Sequence, residues 1–254
     1  MKKFLAIAAV AAMLMACGPD EPGTDPGTDP GTNPGDNTEN TDLAECLQGS
    51  DYYLIALDAT TYEQIKNKVV ADLRVDDFNT HLWIWENTYV AGEGTGPNYY
   101  SELEGWISLD VAVGTTWSGA GFCCYNPENL AKLTAITAAP EEYTLHLAMK
   151  SQDNAIHTFV LYSNGGAEAK VEIGTPDSGH LYNYKRDGEW YEITIPMTYF
   201  TNNGLLWSEG LGAGAVPGDN VATAPTGGHN VLAILSGASG SLNLDATFIY
   251  KAKK

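Results

Sequence analysis

The sequence predicts an all-β fold, a sandwich or barrel of short strands with one or two short helices. Three observations predict it. Segments rich in β-branched and aromatic residues recur along most of the chain, cut by Gly, Pro, Asn and Asp. Several alternate apolar and polar side chains at a period of two. Only two stretches have helical spacing, and both are short.

The strand segments run in order: YYLIAL from Tyr52, HLWIWE from His81, GWISLDVAV from Gly105, WSGAGFCCY from Trp117 and YTLHLAMK from Tyr143. HTFVLY from His157, AKVEIG from Ala169, EWYEITIPM from Glu189, NVLAILSG from Asn230 and LNLDATFIYK from Leu242 follow. The helical stretches are TTYEQIKNKVVADL from Thr60 and PENLAKLTAI from Pro127. A Gly, Ala and Pro-rich loop, Gly210 to Gly228, separates the last two strands from the rest. In EWYEITIPM, alternation puts Tyr191, Ile193, Ile195 and Met197 on a core face and Trp190, Glu192, Thr194 and Pro196 opposite. The same spacing groups Leu242, Leu244, Ala246, Phe248 and Tyr250.

The N-terminus, MKKFLAIAAVAAMLMAC, has a basic start, a short apolar run and small residues before Cys17, the pattern of an export signal. LMAC, Leu14 to Cys17, resembles the lipobox of bacterial lipoproteins, which implies a signal peptide over 1–16 and a lipidated Cys17. From 17 to 45 the chain repeats Pro-Gly-Thr-Asp with almost no apolar side chain, so it cannot build a core and serves as an extended tether. Acidic residues just after the Cys resemble the signals that send Bacteroidetes lipoproteins to the outer face of the outer membrane. The expected placement is therefore outer membrane, lipid-anchored, facing outward. Residues 46–254 remain as a single β-sandwich domain, long enough for a substantial core.

The net charge of -19 divides into +2 on the signal, -8 on the tether and -13 on the domain. Nucleic acid and anionic lipid headgroups are poor partners for such a surface, and neutral ligands fit better. Of Cys46, Cys123 and Cys124, the vicinal two point to opposite faces of a strand. Cys46 can pair with one of them, and an odd count leaves a free thiol.

DGEWYEITIPMTYF, Asp187 to Phe200, resembles a strand of the jelly-roll carbohydrate-binding modules of the galactose-binding-like type. LNLDATFIYK is similar to their last strand, with an Asp near its middle, here Asp245. The resemblance implies a jelly-roll sandwich of two antiparallel sheets. It also implies a structural Ca²⁺ in some members, with Asp245 as one ligand; no partner for it is identifiable, so no cofactor is expected. As a whole the chain resembles Bacteroidetes surface lipoproteins associated with polysaccharide utilisation, which implies an accessory role beside an outer-membrane glycan transporter complex. A sandwich hosts many functions, so the site needs its own argument.

Sugar rings present C–H faces that stack on flat aromatic side chains, while their hydroxyls need short polar partners. Trp83 and Trp85 alternate with Leu82 and Ile84; if the aliphatic pair faces the core, the tryptophans form a platform with Asn87 at its end. Tyr89, Asn98, Tyr99 and Tyr100 sit on or beside the glycine-rich loop that follows, either as ligand contacts or folded back on the sandwich edge. Trp117 is followed by small residues that open a cleft or allow close sheet packing, and Tyr182 and Tyr184 form a second aromatic edge. Trp207 borders the long loop.

Catalytic signatures are missing: the chain has no HExxH, P-loop, CxxC pair or EF-hand loop, and its histidines are scattered. No metal ligand set and no catalytic residue is expected. Glu86, Glu102, Glu104 and Asp110 lie near one another along the chain, but an acidic rim explains them as well as a glycosidase pair does. The expected function is non-catalytic polysaccharide binding. Two alternatives stay open, a protein-interaction or assembly lipoprotein and a glycan-active hydrolase.

Overall fold

Thirteen strands form two facing sheets among the described residues of the computed structural model, 43–76, 79–163, 167–205 and 229–253. The expected lipidation at Cys17, Trp207 and the loop from 210 to 228 lie outside the described residues. Asp42–Lys254 is one compact unit.

The strands are β1 Ser50–Ala56, β2 Val69–Asp72, β3 Thr80–Ile84, β4 Tyr89–Gly94, β5 Trp106–Val111, β6 Trp117–Cys124 and β7 Tyr143–Lys150. After them come β8 His157–Tyr162, β9 Glu168–Gly174, β10 Tyr182–Asn183, β11 Tyr191–Pro196, β12 His229–Gly237 and β13 Leu242–Lys251. One sheet has the order β11-β7-β13-β1-β2, with β5 also pairing β13 and β4 pairing β5; the other has the order β10-β9-β8-β12-β6-β3.

The all-β sandwich therefore stands, with one change to its pairing. Both sheets are mixed, because β1 pairs β2 and β9 pairs β10 in parallel while the other pairs are antiparallel. A parallel neighbour needs a crossover. Helix α1, Ala59–Ile65, supplies the first, started by Asp58, whose carboxylate accepts from Thr61 N at 2.7 Å. The longer helix expected from Thr60 is cut short, since Val69–Asp72 enters the sheet as β2. PENLAKLTAI is helical as expected, in two turns, α2 Pro127–Lys132 and α3 Thr134–Ala138. Helix α4, Met197–Asn202, was not expected from the pattern.

The main core fills the space between the sheets and includes Tyr53, Phe122, Phe159, Leu145, Leu147, Ile193, Ile195 and Leu232, all at most 6% exposed. Each such side chain contributes about 1.5–3 kcal/mol through burial. Ile193 and Ile195 do take the core face of β11, and Met197, the first residue of α4, joins the same core. In β13 the alternation breaks. Leu242 and Leu244 face the main core, but Ala246, Phe248 and Tyr250 belong to a second cluster outside the first sheet. The cause is a bulge: Ala246 has φ 38 and the β13–β7 register shifts between Asp245 and Phe248, which reverses the faces beyond it. Cys46, Leu47, Tyr52, Leu54 and Ile65 complete this outer core.

Cys46, Cys123 and Cys124 are buried and free. Cys46 lies in the outer core, Cys124 in the main core and Cys123 on the far side of the second sheet. A Cys46 pairing with either neighbour would have to cross a sheet.

Candidate functional site

Strand β3 settles the orientation of the aromatic run. Leu82 and Ile84 pack against the main core. Trp83 packs with Tyr125 on Cys123, on the opposite face of the sheet. The chain leaves the strand at Ile84 and turns through Trp85–Asn87, where Glu86 and Asn87 adopt φ 49 and φ 55. Thr88 fixes this turn to β6: its hydroxyl donates to Trp85 O at 2.7 Å and accepts from Gly119 N at 3.0 Å.

The turn lays Trp85 over β6. A Cβ on Gly119 would come 2.7 Å from Trp85 Cε3 and 2.8 Å from Trp117 Cζ3, so the glycine is the seat on which both indoles rest. Trp83 meets Trp85 edge to face, with centroids 5.9 Å apart at 66°. Trp117 is 36% exposed. Trp83, Trp85 and Trp117 thus occupy the outer face of β3 and β6, the first two part-buried and Trp117 exposed.

Polar groups lie among the rings. His81 and Asn230 flank Cys123 from the two neighbouring strands, since both pair with it in register. His81 Nδ1, Trp85 Nε1 and Asn230 Oδ1 are buried atoms with no hydrogen-bond partner among the described residues, while the Tyr125 hydroxyl lies against the Cys123 thiol. Buried polar atoms are ordinarily satisfied, and these three lie on one face.

The remaining expected contacts are elsewhere. Asn87 is exposed at the turn and not in strand register with the tryptophans. Tyr89 points inward at 4% exposure, its hydroxyl donating to Gly240 O at 3.2 Å; a residue in the core cannot be a platform. Asn98 is buried and caps its own loop, accepting from Tyr100 N and Glu102 N. Tyr99 and Tyr100 fold back onto the outer core of the first sheet, at the other side of the sandwich. Tyr99 donates to Glu192 Oε2 at 2.7 Å, and Tyr100 contacts Cys46 Sγ at 3.3 Å. Tyr182 packs edge to face on Tyr199 at the sheet edge. Tyr184 is in the core beneath the Arg186 guanidinium, 3.6 Å from its ring centroid.

Two further features border that outer core. His146 is fully buried, stacked on Phe248 at 4.6 Å, with Nε2 3.4 Å from Glu192 Oε1. Burial pulls its pKa down, but Cys46, Glu192 and the Ala246 carbonyl outweigh this and hold it at about 9. Asp245, 2% exposed, accepts from Tyr99 N at 3.0 Å; burial pushes its carboxyl up to about 6. It lines a cavity of about 400 Å³ with Arg74, Glu93 and Trp106, in the fork where β13 leaves β5 for β1. No group of three or more metal-ligating side chains occurs among the described residues.

The sequence reading missed Gly119, Gly121, Asn230 and Tyr125 as parts of the face, whereas the alternation in β3 already groups His81 with Trp83. The alternating glycines of WSGAGF were the available signal. Assigning them to Trp85 needed the β3–β6 register.

No protein-family model matches the sequence, and no curated protein matches it. Among solved structures, an exo-β-agarase is 11% identical over 73% of this chain and 24% of its own, at TM-score 0.42. The family 30 carbohydrate-binding module of a cellulosomal cellulase of Clostridium thermocellum is 12% identical over 71% of this chain and 96% of its own, at 0.40. The glycoside hydrolase domain of Endo-D from Streptococcus pneumoniae R6 is 8% identical over 68% and 21%, at 0.31. The chain thus spans about a quarter of the agarase. Function is therefore sought in this chain's own residues.

Proposed function

We propose that this chain binds a neutral polysaccharide, without catalysis, on the outer face of its second sheet. The observation that carries the reading is the placement of Trp83, Trp85 and Trp117 on one face of β3 and β6, turned away from the main core. Flat indoles offer stacking area to sugar C–H faces, and the unpartnered polar atoms between them offer hydrogen bonds to hydroxyls. The net charge of -19 disfavours anionic glycans. With the lipobox-like LMAC and the tether, the reading extends to a lipid-anchored protein of the outer membrane that holds glycan at the cell surface beside an uptake complex.

Affinity electrophoresis tests it. The parent protein is run through gels containing mixed-linkage β-glucan, xyloglucan, galactomannan, laminarin or polygalacturonate, alongside Trp83→Ala and Trp117→Ala. At least one neutral glycan retards the parent, and both variants migrate faster in it while remaining folded. No retardation by any neutral glycan refutes the reading.

A further inference from the structure

Two buried polar atoms on the tryptophan face belong to side chains that meet over Gly121, and neither has a partner among the described residues. Gly121 brings them there. Its missing side chain leaves room on the outer face of β6 that Asn230 fills from β12 and Trp85 from the turn after β3. A Cβ at Gly121 would sit 2.4 Å from Asn230 Oδ1 and 3.5 Å from Trp85 Cζ2. In an indole, Cζ2 is bonded to the carbon that carries Nε1, so the N–H is beside the same space. Trp85 Nε1 and Asn230 Oδ1 are both buried and, among the described residues, both unpaired.

The chemistry of the pair is complementary. An indole N–H only donates, and an amide oxygen only accepts. A group that accepts from the first and donates to the second satisfies both at once, and a neutral hydroxyl does this. A carboxylate or sulfate could accept from the indole but would be repelled by the amide oxygen. An ammonium would meet the opposite conflict. In the free protein the unpaired atoms lower stability, so packing gives no reason for their juxtaposition.

We infer that Trp85 Nε1 and Asn230 Oδ1, covered in the free protein and uncovered when the two side chains part over Gly121, together read one hydroxyl of a neutral sugar unit. Trp83, which pairs with Gly121 in register, and Trp117, which shares the Gly119 seat with Trp85, supply ring contacts on the two sides of this point. His81 Nδ1, unpartnered across Cys123 from Asn230, continues the polar row. The inference rests on the glycan reading of the face and adds the residues that set its selectivity and the charge class of its ligand.

The test uses the neutral glycan that retards the parent most, with polygalacturonate as the anionic arm. Trp85→Phe keeps a flat ring and deletes the N–H; Asn230→Leu deletes the acceptor at similar volume. Each single variant is expected to bind about tenfold more weakly, the scale of one lost hydrogen bond to a substrate hydroxyl. The double variant is expected to be little weaker than either, because both groups hold the same hydroxyl. Asn230→Leu should also melt at or above the parent's temperature, since it removes an unpaired buried atom. If Asn230→Leu fails to fold, Asn230→Ala carries the same expectation for affinity. Singles that bind like the parent, or losses that add in the double, overturn the inference while leaving the glycan reading intact. Retention of the parent by polygalacturonate alone overturns the inference and the neutral ligand class with it. Retention by no glycan overturns the reading and the inference together.

Discussion

Asp245→Asn isolates the cost of a buried carboxylate in β13. The side chain is 2% exposed, it accepts from the backbone N–H groups of Tyr99 and Ala246, and burial raises its pKa from the ordinary 3.8 to about 6. A rise of about two units corresponds to about 3 kcal/mol between the protonation states, undiscounted because the group is shielded from solvent. The sign follows from the raised value. The folded state prefers the neutral form, so this contribution to stability is fully present below about pH 4 and is lost as pH rises through about 6. Asparagine keeps an oxygen for Tyr99 N and never ionises, although its amide protons need partners at a cost of about 1 kcal/mol. The variant should therefore be close to the parent or slightly less stable at pH 4, and about 2 kcal/mol more stable at pH 7.5. Urea denaturation of both proteins across that range measures the difference. A stability difference that does not change with pH would show that the loop bearing Tyr99 does not shield Asp245, and the argument would fail.

Three other outcomes follow from the packing. Leu82→Ala and Ile84→Ala should each cost about 1–3 kcal/mol in chemical denaturation, whereas Trp117→Ala, over a third exposed, should cost less than about 1; the reverse order would refute the assignment of faces in β3. Arg186 donates to the carbonyls of Asp153, Tyr184, Ala155 and Ile173 at 2.9–3.2 Å, a spread that a lysine ammonium cannot match. Arg186→Lys should lower stability by about 2–4 kcal/mol, read from the urea midpoint. Cys46, Cys123 and Cys124 should resist a thiol reagent in the native protein and all react after unfolding, because they are free and buried and burial pushes Cys123 to about 11; rapid labelling of the native state would contradict their placement.

Much of the fold was legible because strand burial is written at short range. The alternation in β11 and the aliphatic pair in β3 needed only period two and the preference of Leu and Ile for the core. Legibility stopped where a single residue changes phase. Ala246 does so in β13, and no composition signal marks it. The turn at Trp85–Asn87 does the same for the site, carrying Trp85 onto β6 where plain alternation would have placed it beside Trp83 and Asn87. Tyr89 and Tyr184 show the other limit. Tyrosine has both a flat apolar body and a polar tip, so abundance in a loop or at a strand end does not separate a displayed ring from a core one.

The outer face of β6 departs from what stability alone would select. On the same face, β8 and β9, which lie beyond β12, carry Thr158, Val160, Tyr162, Lys170 and Glu172, an ordinary mixture for a half-solvated sheet. On β6 it carries Trp117, Gly119 and Gly121 instead. Glycine within a strand is worse than alanine by roughly 0.5–1 kcal/mol, and each unpaired buried polar atom adds about 1–3 kcal/mol more. These costs are coupled: the glycines are tolerable only if something large covers them, and Trp85 covers them only by giving its N–H no partner. A seat, a ring and an unpaired donor and acceptor in one place break local rules together, as expected where a surface is shaped for a ligand and not for the fold.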